Sequence, residues 1–356
     1  MKTEAYERTL RARAFDLSRY LLPVATNTSL GEIVNARTLE GQVSRLLSSE
    51  YAEVRKLGEL LKQAASQPAY NVNQQSFSEL AQRIRERDGD LAEFAEKLLL
   101  KPVRVAPTLV KYAERSGYEI ASRKELQQAA EQIMQGAGIA RSRSVDLQDE
   151  SPLEIELAST LLYQHCHYPY RQISQQVEDL SPAERSDVIE LGVKHRGKHD
   201  ELARAFCSGQ RFCFDILMDV GGFRDMHRHR RCIQIGQDFT AAHGFDSPSE
   251  MAEAGQQQRY EKSMERASSA AANLERVAGR ERAVYVLPMA YRKRTLFKMD
   301  FAQALYMAEL RTTPAGHASY RNVAYGMYEE VAKKYPALAK YFRITDVREP
   351  VDLLKR

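Results

Sequence analysis

Phe223-Arg224-Asp225-Met226-His227-Arg228-His229-Arg230-Arg231-Cys232 is the stretch on which the reading of this chain turns. Four arginines and two histidines crowd into it, and like charges at that density repel one another unless an anion or an acidic partner neutralises them. Arginine also presents a planar fork that grips phosphate through paired, charge-assisted hydrogen bonds. The rest of the chain does not share this bias. Its 356 residues carry 52 basic and 48 acidic side chains, a net charge of +4, so attraction for an anion has to come from local clustering.

Immediately upstream, Phe206 to about Met226 reads as a helix leading into the cluster, with Asp215 and Asp219 interrupting its apolar run. No window approaches the roughly eighteen uninterrupted apolar residues of a membrane span. The first residues form a charged amphipathic pattern without the apolar core of a signal peptide, so a cytoplasmic location is expected. Cys166, Cys207, Cys213 and Cys232 show no CxxC spacing and are expected to be reduced thiols.

Further out, the length argues for two domains. Gln135-Gly136-Ala137-Gly138 and the polar residues after it place the boundary at 140/141, giving a partial, mostly helical domain over 1–140 and a fuller one over 141–356. Apolar spacing predicts front helices over 1–21, 30–47, 50–65, 76–99 and 122–135. Pro102 and Pro107 mark 101–110 as an extended connector. In the second domain Val145-Asp146-Leu147 reads as a strand. Ser151-Pro152-Leu153-Glu154 and Ser181-Pro182-Ala183-Glu184 both read as capped helix starts, the second helix running to about His195. A faint repeat joins the halves: Leu22-Pro23 and Leu287-Pro288 each precede an amphipathic helix and then a second one, Tyr51 to Gln63 and Tyr320 to Lys334.

Arg228-His229-Arg230, with Arg19 four residues before Pro23 and Asn35-Ala36-Arg37 twelve residues after it, resembles the flavin-dependent thymidylate synthases. In that family an Arg-His-Arg signature holds FAD, and a Leu-Pro turn is followed by Val-Asn-Ala-Arg and then Leu-Arg. Here the first copy keeps Leu22-Pro23 and Val34-Asn35-Ala36-Arg37, while the second keeps Leu287-Pro288 and Leu310-Arg311. The resemblance implies that Arg228, His229 and Arg230 contact the flavin. Asn35 and Arg37 match positions that reach a flavin bound mainly by another subunit, and His199 matches a histidine beside it. Arg19 matches an arginine near the reacting uracil, and Arg311 one that holds the nucleotide.

What the resemblance implies overall is a tandem α+β protein, helix-rich, its small sheet covered by helices. The implied reaction is reductive methylation of dUMP to dTMP with FAD, methylenetetrahydrofolate and NADPH, in a homodimer that forms a pseudo-tetramer. The chain departs from the family where serines, an acidic residue and an arginine seat the nucleotide: Ile233, Gly236, Asp238 and Thr240 stand there. Asp225 replaces a glutamine. A diverged flavin- or nucleotide-binding homologue without synthase activity is therefore the second reading.

Two readings compete from the residues themselves. His165, His167, His227, His229 and the cysteines could hold zinc, but they lack short fixed spacings and lie among arginines that oppose a dication. Arg228, Arg230, Arg231 and Arg292-Lys293-Arg294, with Tyr291 and Phe297 for stacking, could contact nucleic acid, yet the global charge lacks a broad basic stripe. Tyr163, Tyr168 and Tyr170 read as packing, His243 as the end of a helix, and His317 as a surface loop.

Overall fold

In this computed structural model the structure describes residues 3–68, 71–102, 110–197, 200 and 203–350. Contacts divide the chain into two compact units, Met1–Thr28 with Ala121–Arg356, and Ser29–Ile120. That division differs from a boundary at 140/141. Leu126, Ala130 and Met134 join the core of the larger unit, and Tyr20 packs there with Tyr260 and Met264.

Among the described residues the strands and the longer helices are, in chain order, α1 (Thr3–Ser18), α2 (Ala36–Leu47), α3 (Ala52–Ser66), α4 (Gln74–Arg85), α5 (Gly89–Leu99), α6 (Gly117–Ile133), β1 (Val145–Leu147), α7 (Leu153–Tyr163), α8 (Tyr170–Glu178), α9 (Pro182–Leu191), β2 (Phe212–Asp219), α10 (Val220–Met226), β3 (Ile233–Gly236), α11 (Gln257–Ala278), β4 (Arg292–Met299), α12 (Phe301–Arg311) and α13 (Ala318–Lys334). None of the described helices is long and apolar enough to cross a membrane.

The smaller unit is helical. Asn35 caps α2 through its side chain, which starts that helix at Ala36 rather than near residue 30. Asp88 caps α5 and divides the predicted 76–99 helix in two. The connector predicted over 101–110 falls mostly on residues 103–109, outside the described residues.

The larger unit is built on a four-stranded antiparallel sheet of order β1-β2-β4-β3. One face sets Phe212, Phe214, Ile216 and Met218 of β2 and Phe297 and Met299 of β4 against Ala304, Met307, Val323 and Met327 of α12 and α13. Leu296 and Ile235 on the other face pack with Ile155, Leu161, Ile173 and Val188 from α7, α8 and α9. Each of these side chains larger than alanine contributes roughly 1.5–3 kcal/mol through burial. The architecture is the expected helix-rich α+β one.

Coverage on both faces explains why 206–226 is not one helix. The residues of β2 that point away from the first face are buried or half-buried, and Cys213 and Leu217 among them are apolar, so the alternation is blurred. Asp215 is tolerated there because it accepts from the Tyr163 hydroxyl at 2.7 Å, the Tyr170 N–H at 2.8 Å and Arg294 Nη1 at 2.7 Å. Tyr163 and Tyr170 are thus packing residues. Ser181 and Glu184 form the expected capping box. Ser151 caps nothing, since Pro152 is extended (φ −51°, ψ 146°) and the helix starts at Leu153.

The two Leu-Pro turns meet. Tyr20-Leu21-Leu22-Pro23-Val24-Ala25 and Tyr285-Val286-Leu287-Pro288-Met289-Ala290 share a Tyr-x-Leu-Pro-x-Ala pattern. Both follow a 3₁₀ turn, and Leu22 and Leu287 have the same backbone angles, φ −73° and ψ 128°. Val24 N donates to Leu287 O at 3.0 Å while Met289 N donates to Leu22 O at 2.9 Å. Ala25 N reaches Tyr285 O at 3.2 Å, and Ala290 N reaches Tyr20 O at 3.3 Å. This reciprocity is the bonding pattern of a local twofold axis between Pro23 and Pro288.

Candidate functional site

Helix α10 delivers the arginine cluster. Asp219 at its start accepts from Gly222 N at 2.6 Å and is hydrogen-bonded by the Ser319 hydroxyl. A Cβ on Gly222 would stand 2.6 Å from Ser319 Oγ, so glycine is what allows α10 and α13 to approach. After Met226 the chain turns, and His229 O accepts both Cys232 Sγ at 3.0 Å and Gln234 Nε2 at 2.9 Å. The turn is therefore fixed at its middle residue.

His229 is buried while its two neighbours are not. Arg311 Nε donates to His229 Nε2 at 2.9 Å, and the Gln303 amide nitrogen lies 3.2 Å from Nδ1. A guanidinium has no acceptor, so Nε2 accepts and the imidazole is neutral with its proton on Nδ1; that N–H needs an acceptor, which the Gln303 amide provides once it is flipped to present its oxygen to the ring. Burial, and then the Arg311 charge, push its pKa down to about 4. Arg311 is clamped further by Asp225 O at 2.8 Å from Nη2 and by the Asp225 carboxylate 3.8 Å from Nη1. Its guanidinium also lies 5.4 Å from the centre of the Tyr320 ring. Arg228, with 70% of its side chain exposed, approaches Asp225 at 3.6 Å. Arg230 is exposed and makes no ion pair among the described residues, and Arg231 pairs with Asp300 at 2.5 Å.

Arg19 belongs to the same constellation. Its Nη2 meets Asp16 at 2.5 Å, and its Nε is buried without a partner. His317 joins the two halves: its ring contacts Tyr20 at 5.4 Å, and its Nδ1 accepts Ser319 N at the start of α13. Burial lowers the pKa of His317; Asp16 and Asp225 oppose that shift and Arg19 adds to it, so charges from both halves act on this one ring. His317 is buried rather than on a surface loop. Sequence reading missed Asp16 as a partner, although its spacing of three from Arg19 within one helix was the available signal.

Asn35 Oδ1 accepts Thr38 N at 2.8 Å in the smaller unit, and Arg37 pairs with Glu40 at 2.8 Å with 81% of its side chain exposed. His199 lies outside the described residues. Asp238 pairs with Arg280 at 2.9 Å, and Arg280 reaches His167 Nε2 at 3.0 Å. His243 occupies a turn rather than a helix end, and burial holds its pKa down at about 4, so it is not a cation there. Arg294, Tyr291 and Phe297 are buried and cannot line a nucleic-acid surface. No cluster of metal-binding side chains occurs among the described residues.

The sheet, its two helical layers and the turn at His229 define a class of helix-rich α+β proteins that present an Arg-His-Arg site. More particularly, the chain belongs to the thymidylate synthase complementing protein family, which residues 146–337 match. It is similar to a UPF0159 protein of Chlamydia pneumoniae, 27% identical over 98% of this chain and 60% of that protein. A UPF0159 protein of Thermoplasma acidophilum is 25% identical over 96% of this chain and 62% of its own length. The chain spans about 60% of the length of the curated relatives it matches.

Proposed function

We propose that this protein is a flavin-dependent thymidylate synthase of tandem construction, converting dUMP to dTMP by reductive methylation. The observation that carries the reading is the assembly of Arg228, His229 and Arg230 with Arg311, a residue distant in sequence whose guanidinium fixes the neutral His229 ring. Family membership supplies the reaction class, and the reciprocal pairing of the Leu-Pro turns supports the tandem organisation.

The residues present fit a flavin. Arg228 and Arg230 are exposed cations flanking an immobilised histidine, the donor set that a diphosphate requires. They would hold FAD, with Asn35 and Arg37 reaching it from another copy of the chain in a homodimeric pseudo-tetramer. When bound, reduced FAD supplies hydride, methylenetetrahydrofolate the carbon, and NADPH the reducing equivalents. Arg311 would hold the nucleotide phosphate, and Arg19 would stabilise negative charge on the uracil ring.

A second reading has its own support: a flavin- or nucleotide-binding homologue that has lost synthase activity. Asp225 stands within 3.8 Å of Arg311 and 3.6 Å of Arg228, so the cations meant for an anion already face a carboxylate. The test is flavin retention and dTMP formation by the purified protein. Tight FAD binding that falls at least tenfold in Arg228→Gln/Arg230→Gln supports both readings, and dTMP formation selects the first. Failure to bind FAD refutes the first, and failure to bind either FAD or dUMP refutes both.

A further inference from the structure

A cavity of about 400 Å³ opens beside the Arg19 constellation, between α1, the 246–250 segment and the start of α13. Its size is within the range of small-molecule sites. The charges on its wall balance except for one. Asp16 is paired with Arg19 at 2.5 Å, Asp246 with Arg292 at 3.1 Å, and Glu250 with Arg13 at 3.1 Å. Arg321 is left over.

Only 5% of Arg321 is exposed. Its Nε donates to Thr312 O at 3.1 Å, but its terminal nitrogens have neither a hydrogen bond nor a carboxylate partner among the described residues. Burial pulls its pKa below the usual arginine range; Tyr320 opposes that shift, and the nearby Arg13 charge adds to it. The terminal nitrogens are not sealed off by protein but open onto the cavity, so a guanidinium with no carboxylate partner faces it and favours an anion there. The same wall carries the first turn of α13, a 17-residue helix whose N-terminal dipole favours negative charge, with the Ala318 amide unbonded among the described residues. Ser247, Ser249 and Asn322 add donors around it.

We infer that this cavity is a second ligand site, in which Arg321 and the N-terminus of α13 bind a phosphate group, either free or carried as a phosphomonoester. It adjoins the flavin and nucleotide constellation through Asp16 and His317 but uses neither the Arg-His-Arg turn nor Arg311. Nothing in it rests on the synthase reading.

Inorganic phosphate and UMP are the probes, titrated separately by calorimetry into the full chain, into Arg321→Gln, and into Arg228→Gln/Arg230→Gln. Phosphate should bind the wild type and the double variant equally, and Arg321→Gln should weaken it at least tenfold while leaving FAD binding intact. UMP binding that is at least tenfold tighter than phosphate and is weakened at least tenfold in Arg321→Gln identifies a phosphomonoester, whereas phosphate binding with the same Arg321 dependence and no tighter UMP binding there identifies free phosphate. Should Arg321→Gln not fold, phosphate must protect Arg321 from phenylglyoxal in the wild-type protein, read by mass spectrometry. No phosphate binding, undiminished binding in Arg321→Gln, or absent protection overturns the site.

Discussion

Replacing Asp225 with glutamine should tighten binding of dUMP. The carboxylate lies 3.6 Å from Arg228 and 3.8 Å from Arg311, so a phosphate gripped by either arginine would lie within a few ångströms of it. A pair of unit charges at about 4 Å costs roughly 1 kcal/mol in water and about 4 kcal/mol at an effective dielectric of 20. With 20% of its side chain exposed, Asp225 lies between those limits, nearer the wet one because Arg228 is largely in solvent. Removing the charge should therefore lower the dissociation constant about 5- to 30-fold, corresponding to roughly 1–2 kcal/mol. The fold should survive, since Arg311 keeps its bonds to the Asp225 backbone oxygen and to His229. Calorimetric titration of dUMP into FAD-loaded wild type and Asp225→Gln at fixed ionic strength measures the change. Unchanged or weaker binding in the variant would refute a nucleotide phosphate near Arg311.

Two further outcomes follow from buried charge. His229 has a folded pKa of about 4, below its ordinary value near 6.5, so the unfolded chain binds the extra proton first as pH falls. Its contribution is complete above about pH 6.5 and is lost progressively towards pH 4. The stability gap between wild type and His229→Gln should narrow across that window in urea melts at several pH values; a constant gap would mean the ring is not buried neutral. Arg294→Met should cost about 3 kcal/mol, the low end for breaking a buried pair, because Tyr163 and Tyr170 still donate to Asp215. Asp215→Asn/Arg294→Met should lose less than the sum of the single losses, whereas strict additivity would show that the pair is uncoupled.

Much of the helical layer was legible because amphipathic spacing and caps are local signals. Ser181 and Glu184 announce α9, and the apolar spacing of 122–135 announces most of α6. Strand β2 was hidden for a physical reason: both its faces are covered, and Asp215 looks like a solvent marker until its three donors are known. The Arg-His-Arg turn could be read from composition and resemblance, but not the burial of its histidine, because Gln303 and Arg311 arrive from a distant helix. Arg321 was invisible, since no local pattern shows that an arginine lacks a carboxylate.

The reciprocal Leu-Pro pairing bears on how many complete sites a chain of this kind can build. The residue before Tyr20 is Arg19, which Asp16 holds beside His317 and the Asp225–Arg311 cluster. The equivalent residue before Tyr285 is Val284, which offers no charge. In the same way Arg311 ends α12, while the matching place in the first copy is Leu46, with Arg45 turned one position away along α2. A local twofold axis would generate two equivalent sites only if both copies supplied the same groups. On the tandem reading proposed above, the arginine beside the turn would come from one copy, and the Arg-His-Arg turn and Arg311 from the other. The pairing of Pro23 with Pro288 therefore favours one working constellation per chain, assembled across the axis rather than repeated by it.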